Sequence, residues 1–376
     1  MASVPSRFGR SPPAHAAGHH IGGAHVGGHH LGRTGGDDEP GGEVAETVES
    51  TRNPHRMDTT ALVRASTVWA VRWKAIAAWG AALPGAIWVV VRIGGFDAWY
   101  PMVQLIAFTP YVAALSVVPL LWTVLLRQRY PALVSAVVVI ALAFCVVPRW
   151  LEDGDALRGA RGPELRVMSV NVLMGRVDPA RLADLARDAD VVAVQELTPE
   201  FATAFAKYFP HRVSYPAAGV GGSGVFARIP LRDAGVRHNP WGFTQAIAEL
   251  TDYGVFVESA HPAAPSSREA IEPWRESFRR QQRATPDGPL RILAGDFNAT
   301  LDHSVMRDLL HSGYRDAALV RGKGLVGTWG PYDGDNIPPV TLDRVLADNR
   351  IGVRDLRILD LPGSDHRPVL AVLVLP

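Results

Sequence analysis

The sequence is poor in cysteine and in net charge. Its single cysteine, Cys145, excludes an internal disulfide and leaves the redox compartment undecided. Basic and acidic side chains nearly cancel over 376 residues, so the formal net charge at pH 7 is +1. This balance provides no strong overall field toward an acidic partner. The chain is also too long for one compact domain of ordinary size, which predicts several regions.

Charge is missing altogether from three apolar stretches in the first half of the chain. They span residues 75–91, 102–126 and 130–148, which are 17, 25 and 19 residues long. Each is near the ~20 residues that cross the core of a bilayer. Buried helices of a soluble domain are the alternative, but such helices usually keep a polar face. Tryptophan and tyrosine near the ends of these stretches are typical of membrane interfaces and favour three transmembrane helices.

Positive charges in the short flanks predict the orientation of these spans. Basic residues cluster before the first span and between the second and third, whereas the loop between the first and second has only Arg92. The more basic side normally faces the cytoplasm, so everything after Arg149 is predicted to lie outside. Arg149, Arg158 and Arg161 would then be external, which a long translocated domain tolerates. The prediction is a multi-pass protein of the cell membrane with an extracellular catalytic domain.

Composition divides the rest of the chain. Residues 1–60 are rich in Gly, Pro, Ser, Ala and His and are predicted to be a disordered tail, with metal binding by the histidines as the alternative. Residues 61–149 form the membrane region, residues 150–164 a polar linker, and residues 165–376 a globular domain. From residue 149 onward there are 27 basic and 29 acidic side chains. A nucleic-acid binder normally has a basic surplus, so this balance counts mildly against DNA or RNA.

Strand-like and helix-like segments alternate through residues 165–376. Apolar patterns predict strands at 165–171, 190–195, 225–229, 245–250, 255–259, 290–294, 340–347 and 368–375. Helices are predicted to begin at Asp178-Pro179 and Thr198-Pro199, where an N-cap side chain precedes a proline, and to span 274–283 and 303–310. The glycine-rich stretch 213–224 is predicted to be a loop. Hairpins mixed with helical crossovers indicate an α/β fold of mixed sheets covered by helices.

Residues 293–300 carry the clearest chemical signal. A buried strand breaks at Gly295 and then presents Asp296 and Asn298, which point the same way because positions i and i+2 share a face of an extended chain. A carboxylate beside a neutral amide suits phosphate chemistry: one can hold a water or a metal ion, and the other can hydrogen-bond a phosphate oxygen. A plain strand-end turn is the alternative, since Gly, Asp and Asn are common in turns.

Polar side chains occur at the ends of the other predicted strands as well. The set comprises Asn171, Gln195, Glu196, His261, Asp296, Asn298, Asp343, Asp365 and His366. Charged and amide groups at so many strand ends are typical of a site on the rim of a sheet sandwich.

Five short motifs in this order resemble those of the endonuclease/exonuclease/phosphatase superfamily. They are Ser169-Val170-Asn171, Val194-Gln195-Glu196, Gly295-Asp296-Phe297-Asn298, Asp343-Arg344-Val345-Leu346 and Ser364-Asp365-His366-Arg367-Pro368. The superfamily includes DNase I-like nucleases, inositol-phosphate 5-phosphatases and sphingomyelinases. The resemblance covers residues 165–376 and implies a four-layer sandwich of two mixed β-sheets flanked by helices. With its three predicted spans, the chain looks similar to membrane-anchored actinobacterial members.

The resemblance also implies a metal site and a catalytic base. Glu196 resembles the principal Mg²⁺ ligand, with Asn171 beside it and Asp365 as a second carboxylate of the metal site. Carboxylate and amide oxygens suit magnesium, and Mn²⁺ is the alternative ion. Asp296 resembles the residue that orients and deprotonates the attacking water, and Asn298 would donate to the phosphate.

Two histidines complete the implied site. His366 would stabilise the pentavalent phosphate, while Asp343 would fix its tautomer and support its positive charge. His261 would contact the phosphate, although Ser259 stands two residues before it where the family usually has Asn or Thr. A surface-loop histidine is the alternative for His261.

The expected activity is therefore Mg²⁺-dependent hydrolysis of a phosphate ester. A phosphorylated lipid or envelope precursor is the favoured substrate, because the chain is tethered and lacks a basic surplus. An extracellular nuclease acting on DNA is a second hypothesis. A catalytically inactive binding module is a third, although retention of all the acid, amide and histidine positions argues against it.

Overall fold

The computed structural model describes residues 59–332, 334 and 336–376, with the side chains of Trp69 and of the described residues from 72 onward. The predicted disordered tail lies outside the described residues as far as residue 58 and stays a prediction. Five helices come first: α1 Thr59–Gly94, α2 Met102–Leu105, α3 Thr109–Leu115, α4 Val117–Leu125 and α5 Arg129–Val146. Short 3₁₀ turns follow α2 at Ile106–Phe108 and α5 at Val147–Trp150.

Two segments in this helical region are long and apolar enough to cross a membrane, Arg72–Gly94 and Arg129–Trp150. Helices α3 and α4 continue from α2 and form a third such segment if the pair, bent by 44°, is counted as one span. Pro119 lies one turn beyond the bend and has no N–H to bond to the carbonyl of Leu115, which weakens the helix there. The three predicted spans therefore have helical counterparts, while membrane crossing itself stays a prediction.

The C-terminal domain is built from twelve described strands and five described helices. The strands are β1 Glu164–Asn171, β2 Val191–Gln195, β3 His211–Tyr215, β4 Ser223–Ala227, β5 Leu231–His238, β6 Thr244–Leu250, β7 Val255–Ala260, β8 Leu290–Asp296, β9 Tyr314–Asp316, β10 Asp343–Asp348, β11 Gly352–Ile358 and β12 Val369–Val374. The helices are α6 Pro179–Leu185, α7 Pro199–Phe205, α8 Ile271–Arg279, α9 Ser304–His311 and α10 Ala317–Val320.

The strands form two six-stranded mixed sheets, ordered β11-β12-β1-β2-β4-β3 and β5-β6-β7-β8-β10-β9. Strands β1 and β2 are parallel, as are β7 and β8, and the other neighbours are antiparallel. A parallel pair needs a crossover connection, which α6 supplies in the first sheet and α8 in the second. Each sheet therefore carries the same unit, and both units deliver a strand end to the same rim.

Apolar side chains fill three layers between and outside the sheets. The inner faces meet in a core of small and branched residues that includes Val167, Val191, Val257, Ile292 and Val345. Aromatic residues of α7 pack on the outer face of the first sheet, and Trp274 and Phe278 of α8 on that of the second. The arrangement confirms the expected four-layer sandwich of two mixed β-sheets flanked by helices.

Several boundaries differ from the sequence-based prediction. The prediction of a continuous loop over residues 213–224 was wrong, because His211–Tyr215 pairs with β4 as an edge strand. Strand β5, whose side chains are mostly half-buried or exposed, and β11, which has a bulge, were not predicted. Edge strands carry weak apolar alternation, so they leave little trace in the sequence. The helix predicted at 274–283 is Ile271–Arg279.

The helical region packs directly on the sandwich. Val103 belongs to the apolar cluster outside the second sheet, and Ala107 packs with Val340 and Leu342. Asp302, just before α9, accepts hydrogen bonds from Arg92 at the end of α1 and from Arg149 after α5. The ends of both long helices therefore meet the same corner of the C-terminal domain.

Candidate active site

The candidate site lies where strands from both sheets end together. Asn171 ends β1 opposite Gln195 of β2, and Asp296 ends β8 opposite Asp343 of β10. Gly295 is required here because a Cβ at this position would lie 1.8 Å from the carbonyl oxygen of Ala260 on the neighbouring strand. The two parallel pairs thus place their polar strand ends on one rim, as predicted.

The backbone just after these strand ends adopts the left-handed region at four residues with side chains. Leu173 has φ 46°, Met174 has φ 52°, Glu196 has φ 57° and Asn298 has φ 48°. Such residues cost about 1–3 kcal/mol each and persist where the surroundings over-determine them. Asn298 N–H donates to Asp296 Oδ1 at 2.8 Å, which closes the turn and fixes the carboxylate. The strand-end turn, which was the alternative interpretation, is therefore the same turn that orients the Asp296 carboxylate in the site.

Asn171 joins the two carboxylates at the centre of the site. Its Nδ2 donates to Glu196 Oε1 at 3.1 Å and to Asp296 Oδ2 at 3.2 Å. Glu196 Oε2 also accepts from the backbone N–H of Met174 at 2.9 Å. Burial, and secondarily the nearby charge of Asp296, raises the pKa of Glu196 despite the hydrogen bond from Asn171. The carboxylates of Glu196 and Asp296 are therefore placed where a cation could offset their negative charge.

His366 and Asp343 form the histidine–carboxylate pair that the motifs implied. His366 Nδ1 lies 2.8 Å from Asp343 Oδ2, which leaves Nε2 facing Asp296 Oδ2 at 3.6 Å. Burial alone would lower the pKa of His366, but Asp343, Asp296 and Asp365 outweigh it and raise the pKa to about 10. The imidazolium form is thus favoured, with Asp343 fixing the ring orientation.

His261 is buried and points at the same carboxylate, so it is not a surface-loop residue. Its Nε2 lies 3.8 Å from Asp296 Oδ2, and its ring stacks edge-on against Phe243 with centroids 4.8 Å apart. Burial, and secondarily the charge of His366, lowers the pKa of His261 to about 4. Its Nδ1 has no hydrogen-bond partner among the described residues. The site therefore combines a neutral histidine, His261, with a charged one, His366. Surroundings that shift two pKa values apart in this way allow one group to act as an acid and another as a base.

Asn298 and Asp365 complete the cluster and both line the cavity described below. Asn298 Nδ2 donates to the carbonyl of Pro262 at 3.0 Å, which uses one of its two N–H groups and leaves the second for a ligand. Asp365 Oδ2 accepts from Trp329 Nε1 at 3.0 Å, and Oδ1 has no hydrogen-bond partner among the described residues. All of the predicted site residues therefore lie in one cluster.

Two residues that orient this cluster were missed by the sequence reasoning. Trp329 holds Asp365, and Thr328 Oγ1 accepts from the backbone N–H of Asp343 at 2.9 Å. Both lie in a segment with no regular secondary structure, so no strand end marks them. A single tryptophan between glycines was the one available signal.

The donor set fits a divalent cation. Asp296, Asp343 and His366 each carry an oxygen or nitrogen atom within 4.8 Å of the other two, but the imidazolium form of His366 has no lone pair for a metal ion, so the carboxylates carry the fit. Four carboxylates surround the site against one imidazolium, and an oxygen of Asp343 and one of Asp365 lack a hydrogen-bond partner among the described residues. Buried negative charge of this density is costly unless a cation offsets it. The predicted ligands Glu196, Asn171 and Asp365 are not among these three residues.

A cavity of about 820 Å³ opens above the cluster. Glu196, His261, Asp296, Asp365 and His366 form its polar side. Its described lining contains no lysine or arginine and is otherwise largely apolar, with contributions from Met102–Leu105 and the turn after it. This is the size range of small-molecule sites, which are mostly apolar with a few converging polar groups.

Such a rim of carboxylates, amide and histidines beneath a cavity defines a phosphoesterase-type site. Residues 168–366, just over half of the chain, match the model of the Endonuclease/Exonuclease/phosphatase family. The chain belongs to this family, whose members are phosphoesterases or nucleases. No curated protein matches it.

Several solved structures are similar to this chain over a little more than half of its length. Humanized TDP2 from D. rerio shares 15% identity at a TM-score of 0.45, over 56% of this chain and 98% of that chain. A mannosyl-6-phosphatase from Bacteroides thetaiotaomicron shares 16% at 0.43, over 56% and 100%. A 3′ phosphatase from Neisseria, bound to a product DNA hairpin, shares 19% at 0.43, over 55% and 98%.

Proposed function

We propose that the chain is a membrane-anchored, Mg²⁺-dependent phosphoesterase that hydrolyses a phosphorylated lipid or envelope compound outside the membrane. The observation that carries this proposal is the combination of a catalytic cluster with a cavity whose described lining lacks lysine and arginine. Such a cavity accepts one phosphate group at its floor and has little to offer a polyanion.

Asp296 is positioned to act as the general base. Its Oδ1 is held by the N–H of Asn298, and its Oδ2 faces the ring nitrogens of His261 and His366. A water hydrogen-bonded to Oδ2 would pass its proton to this carboxylate as it attacks phosphorus in line. The free N–H of Asn298 and the Nε2–H of His366 would donate to phosphoryl oxygens whose negative charge grows in the transition state.

Glu196 and Asp365 would hold the magnesium ion through carboxylate oxygens, and Asn171 through Oδ1, which also accepts from the N–H of Leu173 at 2.9 Å. The bound ion would supply Lewis-acid polarisation of a phosphoryl oxygen. Asn171 has a second task in the protein itself, because its Nδ2 bridges Glu196 and Asp296 and sets the spacing of the two carboxylates. Mn²⁺ offers the same preference for oxygen ligands and is the alternative ion.

The two other hypotheses find less support. DNA would bring many phosphates, whereas the described cavity lining offers no guanidinium or ammonium group. A binding module would have no need to hold His366 against a buried carboxylate and direct its other nitrogen at a second one.

The orientation can be tested with reporters. The ends of α1 and α5 meet at Asp302, so both helices direct the catalytic domain to one side. An alkaline phosphatase fused after Arg161 is expected to be active, because this enzyme matures only outside the cytoplasm. Activity of a cytoplasmic reporter alone at that position would contradict the external location.

The activity test requires the full chain in lipid nanodiscs, since the catalytic domain packs on Val103 and pairs Asp302 with two arginines of the helical region. Phosphate release from lipid phosphates is measured beside nicking of plasmid DNA, with and without Mg²⁺. We expect Mg²⁺-dependent release that an Asp296→Asn variant lacks. Plasmid nicking without lipid hydrolysis would replace the proposal with the nuclease hypothesis.

A further inference from the structure

The cavity above the catalytic cluster has two walls of different chemistry. One is the polar strand-end rim, and the other is apolar, with Phe243, Leu342 and Trp329 from the sandwich. The apolar wall is completed by Val103, Ala107 and Phe108, with the polar Gln104 beside them, and all four belong to the helical region and not to the C-terminal domain. The active-site cavity is thus shared between two regions of the chain.

The helical contribution is fixed in place by hydrogen bonds to the catalytic domain. The carbonyl of Val103 accepts from His303 Nε2 at 2.7 Å, and Gln104 Nε2 lies 3.3 Å from the carbonyl oxygens of both Pro265 and Ser266. Tyr111, further along, donates to the carbonyl of Pro339 at 2.8 Å. These hydrogen bonds therefore hold the segment in the lining of the cavity, so it does more than connect the chain to the membrane.

The buried ion cluster around Asp302 holds the flanking helices at the same corner. Asp302 Oδ1 accepts from Arg92 Nε at 2.6 Å, and Oδ2 accepts from Arg149 at 2.7 Å. Arg307 donates to the backbone carbonyls of both Asp302 and Arg92. Since the segment 95–108 continues directly from α1, this cluster fixes where the wall begins.

The size of the cavity exceeds what a phosphate group needs. The polar side occupies its floor, and most of the remaining volume of about 820 Å³ faces apolar side chains. Water in such a space gains few hydrogen bonds, whereas an apolar group placed there leaves water and stabilises the complex. The described lining offers no basic residue for a second phosphate. The cavity fits a ligand with one phosphate and a substantial apolar part.

The mouth of the cavity indicates where the apolar part comes from. Trp241 and Val220 line the cavity and keep 58% and 38% of their surfaces exposed, so they mark where the cavity opens to the outside. Exposed tryptophan is typical of the membrane interface. The wall itself is the beginning of the helical run Met102–Leu125, the third candidate span, so it lies next to the bilayer in the proposed arrangement.

We propose that Met102–Phe108 forms a substrate-binding wall that receives the apolar chain of an amphiphilic phosphate ester from the adjoining bilayer. This inference rests on the proposed phosphoesterase function and deepens it, because it assigns chain recognition to the membrane region. Phe108 and Trp241 are the specificity-determining residues, since both line the cavity and neither is fully buried.

The test uses the full chain in nanodiscs and a homologous series of substrates. Alkyl phosphates and the matching alkyl 4-nitrophenyl phosphates, from ethyl to hexadecyl, cover monoesters and diesters. We expect kcat/KM to rise with chain length, by up to about fourfold per buried methylene, until the cavity is filled. Phe108→Ala and Trp241→Ala should lower kcat/KM most for the longest chains. Partition into the bilayer is the same for every variant, so the ratio of variant to parent isolates the contribution of the protein.

Phe144→Ala is the matched control, because Phe144 lies on α5, is 77% exposed and does not line the cavity. Its chain-length profile should equal that of the parent. A flat profile in the parent, or a steep profile unchanged in both cavity variants, would overturn the inference while leaving the phosphoesterase intact. Failure to hydrolyse every ester while plasmid DNA is cut would instead refute the proposed function. Trp241→Ala guards against misfolding of Phe108→Ala, since its side chain is largely exposed.

Discussion

The described part of the chain contains two buried charge clusters whose net charges have opposite sign. In the catalytic cluster, Asp296, Asp343, Glu196 and Asp365 surround His366 and leave a surplus of negative charge. In the docking cluster, Arg92 and Arg149 surround Asp302 and leave a surplus of positive charge. One lies on the rim of the sheets at the floor of a cavity, and the other between the helical region and the sandwich.

The difference between the clusters lies in how completely their atoms are bonded. Both oxygens of Asp302 accept guanidinium hydrogen bonds, its N–H donates to Thr300, and its carbonyl accepts from Arg307. In the catalytic cluster, Asp343 and Asp365 each keep an oxygen without a hydrogen-bond partner among the described residues. A saturated cluster stabilises one structure, whereas an unsaturated one of high charge is ready for a ligand.

The largest effect is expected from Asp296, the proposed catalytic base. Asp296→Asn keeps the shape that accepts the N–H of Asn298 but cannot take a proton from water, so activity should fall by ~10²–10⁴-fold or more. His366→Ala should cost a similar factor by removing a donor aimed at developing charge. The double variant should lose far less than the product of the two, because both residues serve one transition state. Rates of the single and double variants test whether the two residues act together, and circular dichroism is the folding control. Strictly multiplicative losses would mean that they act independently.

The next largest effect is expected from removing one negative charge of the cluster at the cavity. Glu196→Gln keeps an acceptor for the hydrogen bond from Asn171 but removes a charge that the metal ion would offset. Activity should fall by at least about 10–100-fold, the cost of losing even an outer-shell partner of a metal ligand, with partial recovery at high Mg²⁺. Isothermal titration of Mg²⁺ into the variant measures the affinity directly. An unchanged titration would remove Glu196 from the metal site.

The catalytic cluster could be predicted from the sequence because each member stands in a local pattern. Asp296 and Asn298 follow a buried strand after a glycine, and Asp365-His366 precedes a proline-started one. Strand ends gather at one rim whenever crossovers make neighbours parallel, so the predicted cluster formed as a unit. Ligand membership could not be predicted this way, because it depends on distances below 5 Å between separate strands.

The docking cluster and the apolar wall could not be predicted. Arg92 was interpreted as a loop charge and Arg149 as an external flank, while Asp302 gave no signal at all. Their contacts join positions separated by 210 and 153 residues. Local periodicity carries no information about such pairs, and hydropathy describes Val103 and Phe108 in the same way as any residue of a span.

The docking cluster should respond to mutation through stability. Asp302→Asn leaves two buried guanidinium groups without their shared carboxylate, and loss of one partner of a buried ion pair costs about 3–5 kcal/mol. Asp184→Asn is the matched control, since its pair with Arg187 is exposed and contributes at most about 0.5 kcal/mol. Thermal unfolding in detergent should show a much lower midpoint for Asp302→Asn alone. Equal midpoints would mean that the helical region does not depend on this cluster.

The smallest expected effect is a pH dependence at the seam between the regions. His303 donates from Nε2 to Val103 and accepts from the N–H of Thr300 at Nδ1, so it is held neutral. Burial lowers its pKa below 6.5 even though Asp97 and Asp302 oppose the shift. The unfolded chain therefore binds a proton at higher pH than the folded chain. The stability from neutral His303 is complete above pH 6.5 and declines as pH falls from there toward the folded pKa.

This effect can be separated from the other titrating histidines by comparing slopes. His261, with its pKa lowered to about 4, contributes with the same sign, whereas His366, with its pKa raised to about 10, loses its contribution only as pH rises toward that value. Removing His303 should therefore flatten the dependence of the unfolding midpoint on pH between about 7 and 5 without abolishing it. Thermal unfolding of the parent and His303→Gln across that range measures the two slopes. Parallel slopes would show that His303 does not couple the seam to pH, even if the variant is less stable at every pH.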